Sequence, residues 1–103
     1  MLKIRLTRMA ENDLEEIWYY TLSEWGEEQA NQYAAFIEEG FHMIGKNPHI
    51  GQERSDVKKG YRALQVKKHL IFYRIGTGYL EVLGVPHIRM DTKRHFENTG
   101  SQP

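Results

Sequence analysis

Nine side chains in the second half of the chain have types suited to holding a polyanion or moving a proton. They are Tyr61, Arg62, Lys67, Lys68, His69, Tyr73, Arg74, His87 and Arg89. Lys and Arg pair with phosphates and aromatic rings stack on bases, so such a surface can bind RNA. With a suitably placed acid and base it can also cleave RNA. The cations would then hold the phosphate while Tyr or His moves protons. It can equally bind an acidic or amphipathic peptide. Tyr61 and Tyr73 also fit plain sheet packing, the usual fate of aromatic strand residues.

Other constellations are weaker. His87, Asp91 and His95 are spaced i, i+4, i+8 and on a helix would share a face with three metal ligands. Pro86 argues against a helix at His87, and neither a metal nor a cofactor is expected. His69 is expected to be an exposed turn histidine. Gly76-Thr77-Gly78 joins two strand-like runs and opens no helix, so it does not read as a phosphate loop. Ser23 and Ser55 lie in no nucleophile-elbow pattern. Glu15/Glu16 and Glu38/Glu39 are sequence neighbours, which point to different sides of a helix.

The elements that must position these residues follow from periodicity. Leu2, Ile4 and Leu6 alternate with Lys3 and Arg5, the period of a strand with one wet face. Thr7 can cap a helix whose apolar stripe is Ala10, Leu14, Ile17, Trp18, Thr21, Leu22 and Trp25. Gly26 ends it. Ala30, Tyr33, Ala34, Ile37, Phe41 and Ile44 mark a second helix, with Gly45 as the expected stop before Asn47-Pro48. One glycine between two long stripes implies an antiparallel helical hairpin.

A polar loop is expected from Pro48 to Gly60, then a strand from Tyr61 to Val66 and a tight Lys67-Lys68 connection. Leu70–Ile75 is apolar on both sides and reads as a central strand. Gly76-Thr77-Gly78 is a hairpin signal, and Tyr79–Val85 is a last strand closed by Pro86. Arg89–Phe96 is expected to be a short helix or an arm. The expected class is α+β with order β-α-α-β-β-β. The helical hairpin packs on an antiparallel-rich sheet in a single domain over 1–96, and 97–103 is expected to be a disordered tail.

The chain has 103 residues, no cysteine and no apolar run long enough to span a bilayer. A cytoplasmic protein is the expectation. Net charge is zero but unevenly spread. Nine acids and no Lys or Arg lie between Ala10 and Gly40, while Phe41 to Pro103 carries eleven bases against five acids. An acidic and a basic surface on one domain follow.

Three segments together resemble the ParE toxins of bacterial toxin–antitoxin modules: Gly60-Tyr61-Arg62, His69-Leu70-Ile71-Phe72-Tyr73-Arg74, and Val82 through Asp91. Ala10, Asp13-Leu14, Ile17, Trp25-Gly26, Asn47-Pro48 and Ile50-Gly51 are similar to that family's N-terminal landmarks. The similarity covers about residues 2 to 96. Gly84 stands where the family often has an Arg, and Pro86 replaces a usual apolar residue.

The resemblance implies a toxin that inhibits DNA gyrase and blocks replication, has no catalysis of its own, and is neutralised by a ParD-like antitoxin. The related RelE proteins instead cut mRNA on the ribosome, which is the alternative activity. A pI near 7 favours gyrase over ribosomal RNA. The residues expected to meet gyrase are Arg62, Lys67, Arg74, His87, Arg89, Met90, Asp91 and Arg94. Those expected to meet the antitoxin are Tyr20, Tyr33 and Phe36. Neither a membrane nor a specific nucleic-acid sequence is expected as a partner.

Overall fold

The apolar run around Ile71 lies at the centre of a five-stranded sheet, as its composition requires. The computed structural model describes residues 2–100, with side chains as far as Glu97. The elements are β1 (Lys3–Leu6), α1 (Arg8–Trp25), α2 (Glu27–Lys46), β2 (Gln52–Glu53), β3 (Arg62–Val66), β4 (His69–Ile75), β5 (Tyr79–Gly84) and α3 (Thr92–Gly100). Strand order is β1-β5-β4-β3-β2. Only the β1–β5 pair is parallel; the other pairs are antiparallel. The class is α+β, with the α1–α2 hairpin on one face of the sheet.

Strand β4 separates two cores because successive side chains point to opposite faces. Ile71 and Tyr73 join Ala10, Ile37, Ile44, Leu80 and Val82 beneath the hairpin. Phe72 points the other way, to Ala63, Leu83, Tyr61 and Phe96. Ile71, Phe72 and Tyr73 are all fully buried. Each such side chain removed from water stabilises the fold by about 1.5–3 kcal/mol.

The Thr7 hydroxyl caps α1 by accepting from Ala10 N–H at 3.1 Å, and it donates to the Leu83 carbonyl at 2.9 Å. One side chain thereby starts the helix and fixes it to the sheet. Gly26, at φ 91°, joins the two helices. Helix α2 continues through the expected stop at Gly45 to Lys46. Gly40 lets it approach the sheet. A Cβ there would meet Val66 Cγ2 at 2.7 Å and Ile71 Cδ1 at 2.8 Å.

The loop after α2 contains β2, too short to show periodicity. Tyr73 pins this loop from within the core. Its hydroxyl accepts from Gly51 N–H at 2.9 Å and donates to the Pro48 carbonyl at 2.7 Å. Burial raises the pKa of that hydroxyl above its ordinary value, so it stays protonated and can donate.

Helix α3 runs to Gly100, so the tail expected from Glu97 begins inside a helix. Residues 101–103 lie outside the described residues.

Candidate target-binding surface

The segment after β5 is shaped by a bulge. Tyr73 pairs with Val82 but Phe72 pairs with Gly84, so one extra residue lies on β5. The ladder then resumes beyond the strand. Leu70 N–H donates to the Pro86 carbonyl at 2.9 Å, Ile88 N–H donates to the Lys68 carbonyl at 2.9 Å, and His69 bridges His87. Pro86 joins this ladder through its carbonyl alone, since it has no N–H to return to Leu70. The last named strand ends at Gly84, yet its pairing with β4 continues to Ile88.

Past Ile88 the chain leaves the sheet. Met90 N–H donates to the His87 carbonyl, and Asp91 Oδ1 accepts from Arg94 N–H at 3.1 Å, capping α3. Ile88, Arg89 and Met90 are exposed. Helix α3 then docks by Phe96, whose ring lies 5.0 Å from Phe72 and 5.5 Å from Tyr61. Gly84 makes room for it, since a Cβ there would meet Phe96 at 2.9 Å and Asp13 Oδ2 at 3.2 Å. The exposed bow 88–90 is therefore anchored at both ends.

Histidines line the inner side of this anchorage. His69 stands opposite His87, with ring centroids 5.2 Å apart. The Tyr33 hydroxyl lies 2.6 Å from His69 Nδ1 and accepts from Lys68 N–H at 3.1 Å. A neutral His69 with its proton on Nε2 accepts a hydrogen bond from the Tyr33 hydroxyl at Nδ1. Burial, and next the neighbouring His87, lower the His69 pKa to about 4, while Asp13 opposes them. His69 is thus a half-buried neutral acceptor, not the exposed turn histidine expected from its neighbours Lys67 and Lys68. His87 Nδ1 accepts from Arg89 N–H at 3.1 Å, which orients the start of the bow.

Asp13 is the second anchor. Its Oδ2 accepts from Val85 N–H at 2.8 Å and from His95 Nε2 at 3.1 Å. Strand β1 ends before this point, and the carboxylate takes over the edge of the sheet there. The His87, Asp91, His95 spacing therefore does not act as a unit: His87 pairs with β4, Asp91 caps α3, and His95 turns to Asp13. No group of three His, Cys, Asp or Glu able to hold a metal occurs among the described residues.

The eight residues expected to meet a target do not form one patch. Lys67, His87, Arg89 and Met90 gather at the end of the sheet where Val66 pairs with His69. Asp91 and Arg94 follow on the first turn of α3. Arg62 and Arg74 lie toward the other end of the sheet. Six residue steps separate Lys68 from Arg74, roughly 20 Å at 3.3 Å per step. Both are engaged structurally. Arg62 donates to the Gly51 carbonyl at 2.7 Å and pairs with Glu53, and Arg74 pairs with Glu81 at 2.9 Å. Alternation along a strand cannot reveal such partners, which come from other elements.

Of the aromatics expected to meet an antitoxin, Tyr20 is 66% exposed, and Phe36 lies under Lys67, with Nζ 4.2 Å from its ring centroid. Tyr33 is half-buried, and its hydroxyl is engaged as described. A groove runs between α1 and α2, where the two apolar stripes predict mutual burial. It has a volume of about 400 Å³, and its walls include Leu14, Trp18, Tyr33, Ile37 and Phe41.

A family model described as ParE toxin of type II toxin-antitoxin system, parDE, matches residues 4–92. The chain belongs to the ParE toxin family. It is 37% identical to Toxin ParE1 of Caulobacter vibrioides, covering 89% of this chain and 95% of that one. Toxin ParE1 of Mycobacterium tuberculosis is 38% identical, with 88% and 94% covered. A solved chain titled Chromosomal ParDE TA system from P. aeruginosa shares the ParE fold, with a TM-score of 0.75 at 21% identity. That likeness covers 86% of this chain and 98% of the other. The helical hairpin and the mostly antiparallel sheet described above are those of the ParE fold.

Proposed function

We propose that this ParE toxin arrests growth in the cytoplasm by inhibiting DNA gyrase, without catalysis of its own, and that a ParD-like antitoxin neutralises it. Family membership over residues 4–92 is the observation that carries this reading. The bow Ile88–Met90 supports it. It presents two apolar side chains and one cation, and both its ends are fixed, so little ordering entropy is lost on binding. The groove between α1 and α2, rimmed by acidic helices, suits an apolar segment of the antitoxin.

The nuclease alternative asks for free cations grouped on the sheet. Arg62 and Arg74 are instead paired within the fold, and Phe96 and Asp13 crowd the space over Gly84. The deciding experiment incubates the purified protein with gyrase and supercoiled plasmid, beside translating ribosomes and mRNA. Loss of supercoiling activity with intact mRNA is expected. Cleaved mRNA with normal supercoiling would sink the proposal.

A further inference from the structure

A second recess lies where the first turn of α1 meets the sheet face that carries Tyr61, Leu83 and Phe96. Its volume is about 570 Å³, within the range of ligand pockets. Tyr61, Leu83 and Phe96 contribute apolar surface, and Arg8, Lys58 and Lys93 contribute cations. Glu97 is the one acid lining it among the described residues. None of the three cations has an ion pair among the described residues. Asp56, an acid of the same loop as Lys58, takes two hydrogen bonds from Arg54 and also lies within the field of Lys93. Three cations against one acid around an apolar floor favour a ligand that is both apolar and anionic.

The floor fits a side chain better than a stacked base. Tyr61 and Phe96 meet edge-on, at 79° and 5.5 Å, and Phe96 also packs against Phe72. Their rings are committed to one another and do not form the open platform that base stacking uses. Helix α3, which anchors the bow 88–90, also supplies Phe96, Lys93 and Glu97 to the recess. The recess therefore adjoins the surface assigned above to the target, on the sheet face opposite the antitoxin groove.

We propose that this recess takes an acidic segment of the toxin's protein target, with one large apolar side chain seated on Tyr61, Leu83 and Phe96 and flanking carboxylates held by Arg8, Lys58 and Lys93. This rests on the reading that the C-terminal segment meets the target. The probe is a fluorescein-labelled peptide with one tryptophan between two aspartates on either side, followed by anisotropy on the full chain. Saturable binding that weakens with salt is expected, with at least a tenfold loss in the Arg8→Glu, Lys93→Glu double variant and none in Lys46→Glu. The same double variant, checked for folding by circular dichroism, should lose growth arrest yet still co-purify with its antitoxin.

Absent binding, equal binding by the double variant, or displacement by oligothymidylate at lower concentration than by unlabelled peptide would each overturn the proposal. Gyrase inhibition without peptide binding removes the recess alone. Peptide binding without gyrase inhibition removes gyrase as the target and leaves the recess.

Discussion

Tyr33 in α2 and His69 at the start of β4 share a hydrogen bond of 2.6 Å, with Lys68 N–H donating to the same hydroxyl. The helical hairpin is thereby joined to the start of β4, opposite His87 and the beginning of the bow 88–90. The arrangement requires a neutral His69, and burial supplies it by lowering its pKa to about 4.

Stability should therefore fall as pH drops. Between 6.5 and about 4 the unfolded chain binds a proton at His69 that the folded chain does not. The contribution is complete above 6.5 and is lost toward 4. Tyr33, His87 and Asp13 are the other titratable groups around this ring. Melting temperatures across this range should decline less for His69→Gln, whose amide oxygen can still accept from Tyr33 but cannot titrate.

Asp13→Ala should be costly. It leaves the buried Val85 N–H unpaired and His95 without its carboxylate. An unsatisfied buried donor costs about 1–3 kcal/mol, which urea unfolding will read. His95→Ala, which leaves the Val85 bond in place, should cost less.

Tyr73→Phe removes both hydrogen bonds that hold the loop at Pro48 and Gly51 while preserving the ring. A loss of about 1–3 kcal/mol is expected, with faster hydrogen exchange at Gly51. Gly51→Ala should act on the same contact from the other side, because its Cβ would meet the Tyr73 hydroxyl.

Gly84→Val should displace Phe96 and loosen α3 from the sheet. Limited proteolysis should then cut the 88–97 segment faster than in the parent protein. Unchanged cleavage would mean that Phe96 is not what holds the helix.

Arg89→Ala and Met90→Ala should weaken growth arrest while shifting stability by no more than about 0.5 kcal/mol, since both side chains are exposed. Truncation after His87 is a poorer test of the bow, because it also removes Phe96 and His95 from the core.

The elements were legible where burial imposes a period. The run Leu70–Ile75 announced a strand covered on both faces, and Ile71, Phe72 and Tyr73 occupy two cores as that requires. Thr7 and Gly26 marked the ends of α1 by local backbone chemistry alone. The site was less legible, because its geometry depends on contacts distant in sequence. Asp13 meets Val85 and His95, and Tyr33 meets His69; no local spacing encodes either. The extra residue in β5 was equally hidden, since Val82, Leu83 and Val85 are all apolar and alternation is lost among them. Lys67 stands apart as a non-glycine residue at φ 55°, a conformation that its residue type does not announce.

The parallel pairing of β1 with β5 also sets a schedule for the toxin's birth. Lys3 has its partner in Tyr79, and the Thr7 hydroxyl has its partner in Leu83, across nearly the whole chain. During synthesis the first strand leaves the ribosome long before the strand that completes it. Closure of the sheet, and with it the anchorage of the bow, comes only after β5 has been made. Until then the first strand has no parallel neighbour and the bow has no sheet to anchor it.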